Sequence, residues 1–307
     1  SPFNFPLNLA AHKVAPAIAV GAPVVLKPAP KTPLSALLMA ELINETALPK
    51  GMVSVINVPN EQASALVADP RLPVISFTGS GPVGYAIQRQ VPDKHVVLEL
   101  GGNAAVVVCD DWSSDTDLDW AATRIANFAN YQAGQSCIGV QRVYIHEKLY
   151  DDLRTRIVDK VSALKSGDPR DPETFVGPVI NEEAAERIVA WVDEAVAAGG
   201  SVLTGGTREG STVAATVLEG VPVDAKVICE EIFGPVMVLE KVASTDAAFE
   251  AVNDSRFGLQ TGIFTHNMQT AFRALRELEV GGVVIGDAPS YRADQMPYGG
   301  VKESGVG

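Results

Sequence analysis

The sequence predicts an α/β protein with parallel sheets, arranged as two domains, and three observations predict it. Runs of strand length alternate with stretches of helical periodicity from Val24 onward. The strand runs are mainly apolar, as in strands covered on both faces. A glycine-rich turn follows one such run and opens a helix. At 307 residues, with 47% hydrophobic and 20% charged, the chain has the composition of a globular protein of two ordinary domains.

From Val24 to Leu100 the order reads β-α-β-α-β. Val24 to Lys27 is followed by a helix with Leu34, Leu37, Leu38 and Leu42 on one face, then Val53 to Val58, a short helix, and Val74 to Phe77. Thr32 is the expected N-cap with Pro33 in the first helical turn, and Pro49-Lys50-Gly51 stops that helix. Thr78-Gly79-Ser80-Gly81-Pro82-Val83-Gly84 then supplies a GxGxxG between strand and helix. Its two readings are a tight turn and a dinucleotide fingerprint, the latter assigning the acid roughly 20 residues on, Glu99, to a ribose.

Past Gly101-Gly102 the units are larger. A strand from Ala104 to Cys109, a helix from Leu118 to Tyr131, a strand from Val140 to Ile145 and a helix from Lys148 to about Leu164 begin a second α/β domain. The acids between Asp110 and Asp119 serve the positive end of a helix rather than a metal. Segment 181–198 is helical with Ile188, Val189, Val192 and Val196 inward, closed by Gly199-Gly200. Val236 to Glu240 is a strand, Thr245 to Asn253 a helix, Gly262 to Thr265 a strand, then a helix to Leu278 and a strand from Val283 to Ile285. Boundaries follow as residues 1–103, 104–290 and a terminal segment 291–307.

Twenty-four Lys and Arg against 37 Asp and Glu give a net charge of −13, which argues against nucleic acid or an anionic membrane as partner. The uncharged stretch Val14 to Leu26 contains Pro16 and Pro23 and is too short to span a bilayer of about 30 Å. Cys109, Cys137 and Cys229 are odd in number and lack CxxC spacing, so a reducing, cytoplasmic setting without structural metal is expected.

Of these, Cys137 stands out, because Asn130-Tyr131-Gln132-Ala133-Gly134-Gln135-Ser136 places it behind a glycine-containing turn. Most cysteines are buried and inert, and a reactive one needs partners. A cysteine hydrolase would require an activating histidine. His12, His95, His146 and His266 are present, but none forms a Cys/His signature.

Asn4-Phe5-Pro6, Lys27-Pro28, Phe77-Thr78-Gly79-Ser80, Glu99-Leu100-Gly101-Gly102, Gly134-Gln135-Ser136-Cys137, Glu231-Ile232-Phe233-Gly234-Pro235 and Pro297-Tyr298-Gly299-Gly300 occur along the chain in that order. Motifs, order and spacing resemble the NAD(P)-dependent aldehyde dehydrogenase superfamily over essentially the whole chain. The resemblance implies a Rossmann-like cofactor domain and an α/β catalytic domain. It implies Cys137 as nucleophile, Glu99 as general base, and Asn4 as the side-chain donor that meets the oxyanion with the Cys137 backbone N–H. Lys27 matches the lysine on the adenosine ribose, and Gly79 and Ser80 lie in the turn by the pyrophosphate. Glu231 matches the carboxylate on the nicotinamide ribose, with Phe233 packing beside the nicotinamide. By this resemblance Glu99 is a base and not a ribose ligand. The product is a free acid, since a CoA-acylating relative would not need that carboxylate. The partner is a small-molecule aldehyde, and the parent enzyme is expected to be a homodimer or homotetramer.

Three departures set further expectations. Family members carry a long region ahead of the asparagine motif and a tail after Pro297-Tyr298-Gly299-Gly300; without them the cofactor domain is incomplete at its N-terminus. An inactive fragment keeping the fold is then the alternative to an enzyme, and the isolated chain is expected to bind cofactor weakly or turn over poorly. Where NAD-preferring members often carry glutamate, this chain has Pro30, followed by Lys31, so NADP should be accepted, alone or alongside NAD. Gly286 to Gln295 resembles the lactaldehyde-like and phosphonoacetaldehyde-like branches. There Arg292, with Tyr298 a candidate substrate contact, is either an anchor for an anionic aldehyde or half of a surface ion pair with Asp294 or Glu303.

Overall fold

The computed structural model describes residues 1–293 and 295–306. Two compact units emerge, Ser1–Leu100 with Gly305–Gly307, and Gly101–Ser304.

In the first unit, α1 (Asn8–Ala19) precedes β1 (Val24–Leu26), α2 (Leu34–Asn44), β2 (Val53–Val55), α3 (Asn60–Ala68), β3 (Val74–Thr78), α4 (Gly81–Gln90) and β4 (His95–Glu99). β1 and β2 pair in parallel, as do β3 and β4, and a short strand at Gly305–Val306 adds antiparallel to β4. Ala10, Val14, Leu26, Ala36 and Val53 form one small core, and Val91, Val96, Leu98 and Leu100 another. The alternation of the sequence is thus the alternation of the fold.

The inward face of α2 differs from expectation. Leu34, Leu37, Leu38 and Leu42 are all exposed, while Ala36 and Ala40 are buried. A helix reading LSALLMAELIN is apolar on most of its circumference, so periodicity alone does not choose its face. Small residues win the buried side because they let the helix approach closely. Thr32 does not cap this helix either; the N-cap position is Pro33, with no side-chain bond.

In the second unit β5 (Ala105–Val108) leads through α5 (Asp115–Asn130) to β6 (Arg142–His146), α6 (Tyr150–Ser162), α7 (Glu182–Ala197) and β7 (Ser201–Thr204). A hairpin of β8 (Arg208–Glu209) and β9 (Thr212–Val213) precedes β10 (Thr216–Glu219), α8 (Lys226–Cys229), β11 (Val236–Val242), α9 (Thr245–Asn253) and β12 (Phe257–Gly258). β13 (Gln260–Phe264), α10 (Met268–Glu277), β14 (Gly282–Ile285), β15 (Val301–Lys302) and β16, the Gly305–Val306 strand already met, complete the order.

The main sheet of this unit runs β14-β13-β5-β6-β11-β10-β7, parallel except at β7. Alternate side chains of β5 enter separate cores: Val106 and Val108 join Ile125, Val143 and Leu239, whereas Ala105 and Val107 join Phe249 and Ile263. That is why the strand is apolar at every position.

α5 begins with a capping box between Ser114 and Asp117, with Asp115 and Asp117 in its first turn. The acidic run therefore supports a helix start. On α7 the buried residues are Ala185, Ile188, Val192 and Ala195, so Ala195 replaces the expected Val196, which is exposed. Gly199, at φ +112°, ends the helix region in a conformation that favours glycine. No helix among the described residues is long and apolar enough to cross a membrane.

Candidate active site

The second unit holds Cys137. α5 ends at Asn130, and the chain then passes through Gln132 (φ 53°), Ala133 (φ 53°) and Gly134 (φ 70°), a run of left-handed residues. For non-glycine residues that conformation costs about 1–3 kcal/mol each and persists only where the surroundings impose it. Gln135 helps impose it: its side-chain amide donates to the Gln132 carbonyl at 3.0 Å, and its carbonyl oxygen accepts from the Ile180 N–H at 2.9 Å. Tyr131 and Ser136 join their hydroxyls at 2.5 Å across the same turn.

Glycines allow the loop to pack against its neighbours. A Cβ on Gly134 would lie 2.0 Å from the Gly234 carbonyl oxygen, and one on Gly102 would lie 2.7 Å from that of Cys137. The cysteine loop thus touches both the Gly101-Gly102 turn and the Glu231–Pro235 segment. The Cys137 Sγ itself lies 3.4 Å from the Tyr298 hydroxyl. Above that tyrosine ring, at 4.4 Å from its centroid, sits the Arg292 guanidinium. Of the two ion-pair partners considered for Arg292, Glu303 pairs with Arg256, and Asp294 lies outside the described residues.

Glu231 accepts the Gly102 N–H at 2.9 Å, and its carboxylate leaves no room for a side chain at Gly101, where a Cβ would meet it at 2.5 Å. Burial pushes its carboxyl up to about 7, against the Gly102 hydrogen bond and the positive charges of Arg187 and Arg256. Phe233, two residues on, holds a left-handed φ of 49°.

The first unit presents the other candidates at strand ends. Lys27 follows β1, Gly79 and Ser80 follow β3, and Glu99 closes β4; in open parallel sheets the carboxyl ends of strands are where ligands bind. In register, Thr78 stands opposite Glu99, and the Thr78 hydroxyl donates to Glu99 Oε2 at 2.7 Å. Lys13 approaches the same oxygen at 3.9 Å and donates to Ser76 at 2.9 Å; burial lowers its pKa, with Glu99 opposing. Lys27 Nζ donates to the Pro28 carbonyl at 3.0 Å, and its pKa is lowered by burial, with Glu61 opposing. Asn4 lies half-buried in the turn before α1.

The glycine-rich turn fits a dinucleotide fingerprint position by position. A Cβ on Gly79 would meet the Phe77 ring at 2.6 Å, Gly81 faces open space, and a Cβ on Gly84 would meet Leu100 at 2.5 Å. Those are the three uses of the motif: a tight turn, an unobstructed backbone, and close packing of helix on strand. Within the first unit, that turn fits the phosphates of a dinucleotide. Lys13, Thr78 and Gln135 were not apparent as candidates from sequence. Thr78 and Gln135 stand inside motifs quoted above without a role of their own, and Lys13 is the one lysine of α1 (Asn8–Ala19).

The aldehyde dehydrogenase family profile matches residues 1–307. The chain belongs to the aldehyde dehydrogenase family. Among family members, it is 42% identical over 308 residues to the 3-sulfolactaldehyde dehydrogenase of Priestia aryabhattai, covering all of this chain and 64% of that protein. It is also similar to two solved aldehyde dehydrogenase structures. One is aldehyde dehydrogenase 21 of Physcomitrella patens, in complex with the reaction product succinate (49% identity, TM-score 0.96, all of this chain and 63% of that one). The other is the glyceraldehyde-3-phosphate dehydrogenase GapN of Methanocaldococcus jannaschii, complexed with NADP (36% identity, TM-score 0.94, all of this chain and 67% of that one). Within the aldehyde dehydrogenase family, this chain therefore spans about two thirds of the length of the relatives it matches.

Proposed function

We propose that the protein oxidises a small anionic aldehyde to its carboxylic acid with NAD(P) as hydride acceptor. The observation that carries this is the packing of the Cys137 loop on the Glu231–Pro235 segment, with Gly134 against Gly234 and Gly102 against the Cys137 carbonyl. It joins a reachable thiol to a carboxylate of the kind that takes ribose hydroxyls.

Cys137 adds through sulfur to the aldehyde carbon, and the resulting alkoxide is met by the Asn4 side-chain amide and the Cys137 backbone N–H. Preorganised donors of this kind contribute about 3–4 kcal/mol each. NAD(P), held by the residues proposed for it, would supply the acceptor for the hydride that leaves the carbon bonded to Cys137. A thioester on Cys137 remains, and Glu99 takes a proton from the water that hydrolyses it, freeing the acid and the thiol. Thr78, by donating to Glu99, orients that base. Turnover of an anionic aldehyde with formation of NAD(P)H and stoichiometric acid tests the reaction, and cofactor reduction without acid release would contradict the hydrolytic half.

Arg292 is the proposed anchor for the anionic group. Its support is the guanidinium over Tyr298, whose hydroxyl reaches the thiol. The sulfonate of the Priestia enzyme's sulfolactaldehyde and the succinate bound to the Physcomitrella enzyme are anions of this class. Arg292→Ala is expected to raise KM for an anionic aldehyde by about 10- to 100-fold while leaving a neutral aldehyde of similar size unaffected. An unchanged KM for the anion would remove the anchor.

NADP is proposed as an accepted cofactor, because Pro30 and Lys31 set no carboxylate against a 2′-phosphate. Measured kcat/KM values for the two cofactors decide this; a strong preference for NAD would contradict it.

A further inference from the structure

The segment that carries Glu231 and Phe233 is held from one side by a residue of α7. Arg187, on α7, donates from Nη2 to the Ile232 carbonyl at 2.7 Å. Ile232 is the residue between the two cofactor candidates. The guanidinium lies 4.7 Å from the centre of the Trp191 ring, one turn further along α7, within the range of a cation–π contact. From the same helix Ile188 leaves no space for a side chain at Gly234, where a Cβ would meet it at 2.5 Å. Phe233 therefore turns through its left-handed φ of 49° with both flanking residues fixed to α7.

We propose that Arg187 is a positioning residue for cofactor binding, fixing the Glu231–Phe233 segment through the Ile232 carbonyl. The inference rests on the cofactor role proposed above for Glu231. Charge matters as well as geometry: Arg187 and Arg256 are the cations that counter the burial of Glu231, and Glu231 in turn opposes the effect of burial on Arg187. A carboxylate must be ionised to accept both ribose hydroxyls, so the cation favours the form that binds.

Titration of protein fluorescence with NADPH, in the absence of substrate, reads this directly. Arg187→Met keeps the stem and removes donor and charge; its Kd for NADPH should rise about tenfold. In turnover, KM for the cofactor should rise by the same factor, with kcat within about threefold of the parent. Arg187→Lys keeps the charge and one donor and should stay within about threefold of the parent Kd. Glu231→Gln serves as the reference for the site and should weaken NADPH binding on its own. If Arg187→Met proves unstable to heat, Arg187→Gln, which retains a donor but no charge, is used, with an expected loss between those of Lys and Met. An unchanged Kd in a folded Arg187→Met or Arg187→Gln variant, beside a weakened Glu231→Gln, overturns the proposal for Arg187 alone. Loss confined to kcat overturns it too. An unchanged Kd in Glu231→Gln overturns the cofactor role of Glu231 and the inference with it.

Discussion

Cys137→Ser is expected to reduce aldehyde oxidation by about three orders of magnitude or more. A hydroxyl is far less ionised and less nucleophilic than a thiol at neutral pH. The fold should survive, because the loop is fixed by Gln135, by the Tyr131–Ser136 contact and by the close approach of Gly134 to Gly234, none of which uses the sulfur. NADPH binding should stay within about threefold of the parent, since Glu231 and its Gly102 bond are untouched. Rates of NAD(P)H formation with parallel thermal melts check this. Substantial oxidation by a folded Cys137→Ser protein would remove the nucleophile from the account.

Glu99→Gln should separate the two halves of the reaction. The amide is isosteric and still accepts the Thr78 hydroxyl, but it cannot take a proton from water. Steady-state turnover should fall by about 10²- to 10⁴-fold, the range of a general base. The first turnover should remain, so rapid mixing should show a burst of NAD(P)H close to one equivalent, followed by near arrest. Loss of the burst along with the steady state would assign Glu99 to the addition step or to structure instead.

Much of the fold was legible because its strands declare themselves. β5 is apolar on both faces and β6 is buried at every position, and the glycine pattern after β3 lies between strand and helix as the sequence indicates. Where the sequence was silent, the cause was physical. α2 is apolar around most of its surface, so Ala36 and Ala40 could not be told from the leucines as its buried side. Val196 and Ala195 on α7 are neighbours whose exchange moves the buried stripe by one residue.

At the site, Cys137 was legible from Gly134 and the turn, but the left-handed Gln132 and Ala133 were not. Non-glycine residues carry no local mark of positive φ when long-range contacts impose it. The Thr78–Glu99 bond exists because β3 and β4 pair in one register, and the Arg187–Ile232 bond because a helix and a loop distant in sequence meet; neither follows from any local pattern. Motifs nominate residues for contact with substrate or cofactor, whereas the residues that hold them in place become visible only through tertiary contacts.

In the proposed mechanism the substrate's acyl group is carried on Cys137. Intact-mass spectrometry after incubating Glu99→Gln protein with an anionic aldehyde and NADP, followed by peptide mapping, tests it most directly. A mass increase equal to one acyl group, located on the peptide containing Cys137 and absent when NADP is withheld, is the predicted result. NADPH formation without an adduct on Cys137, or an adduct on Cys109 or Cys229 instead, would contradict it.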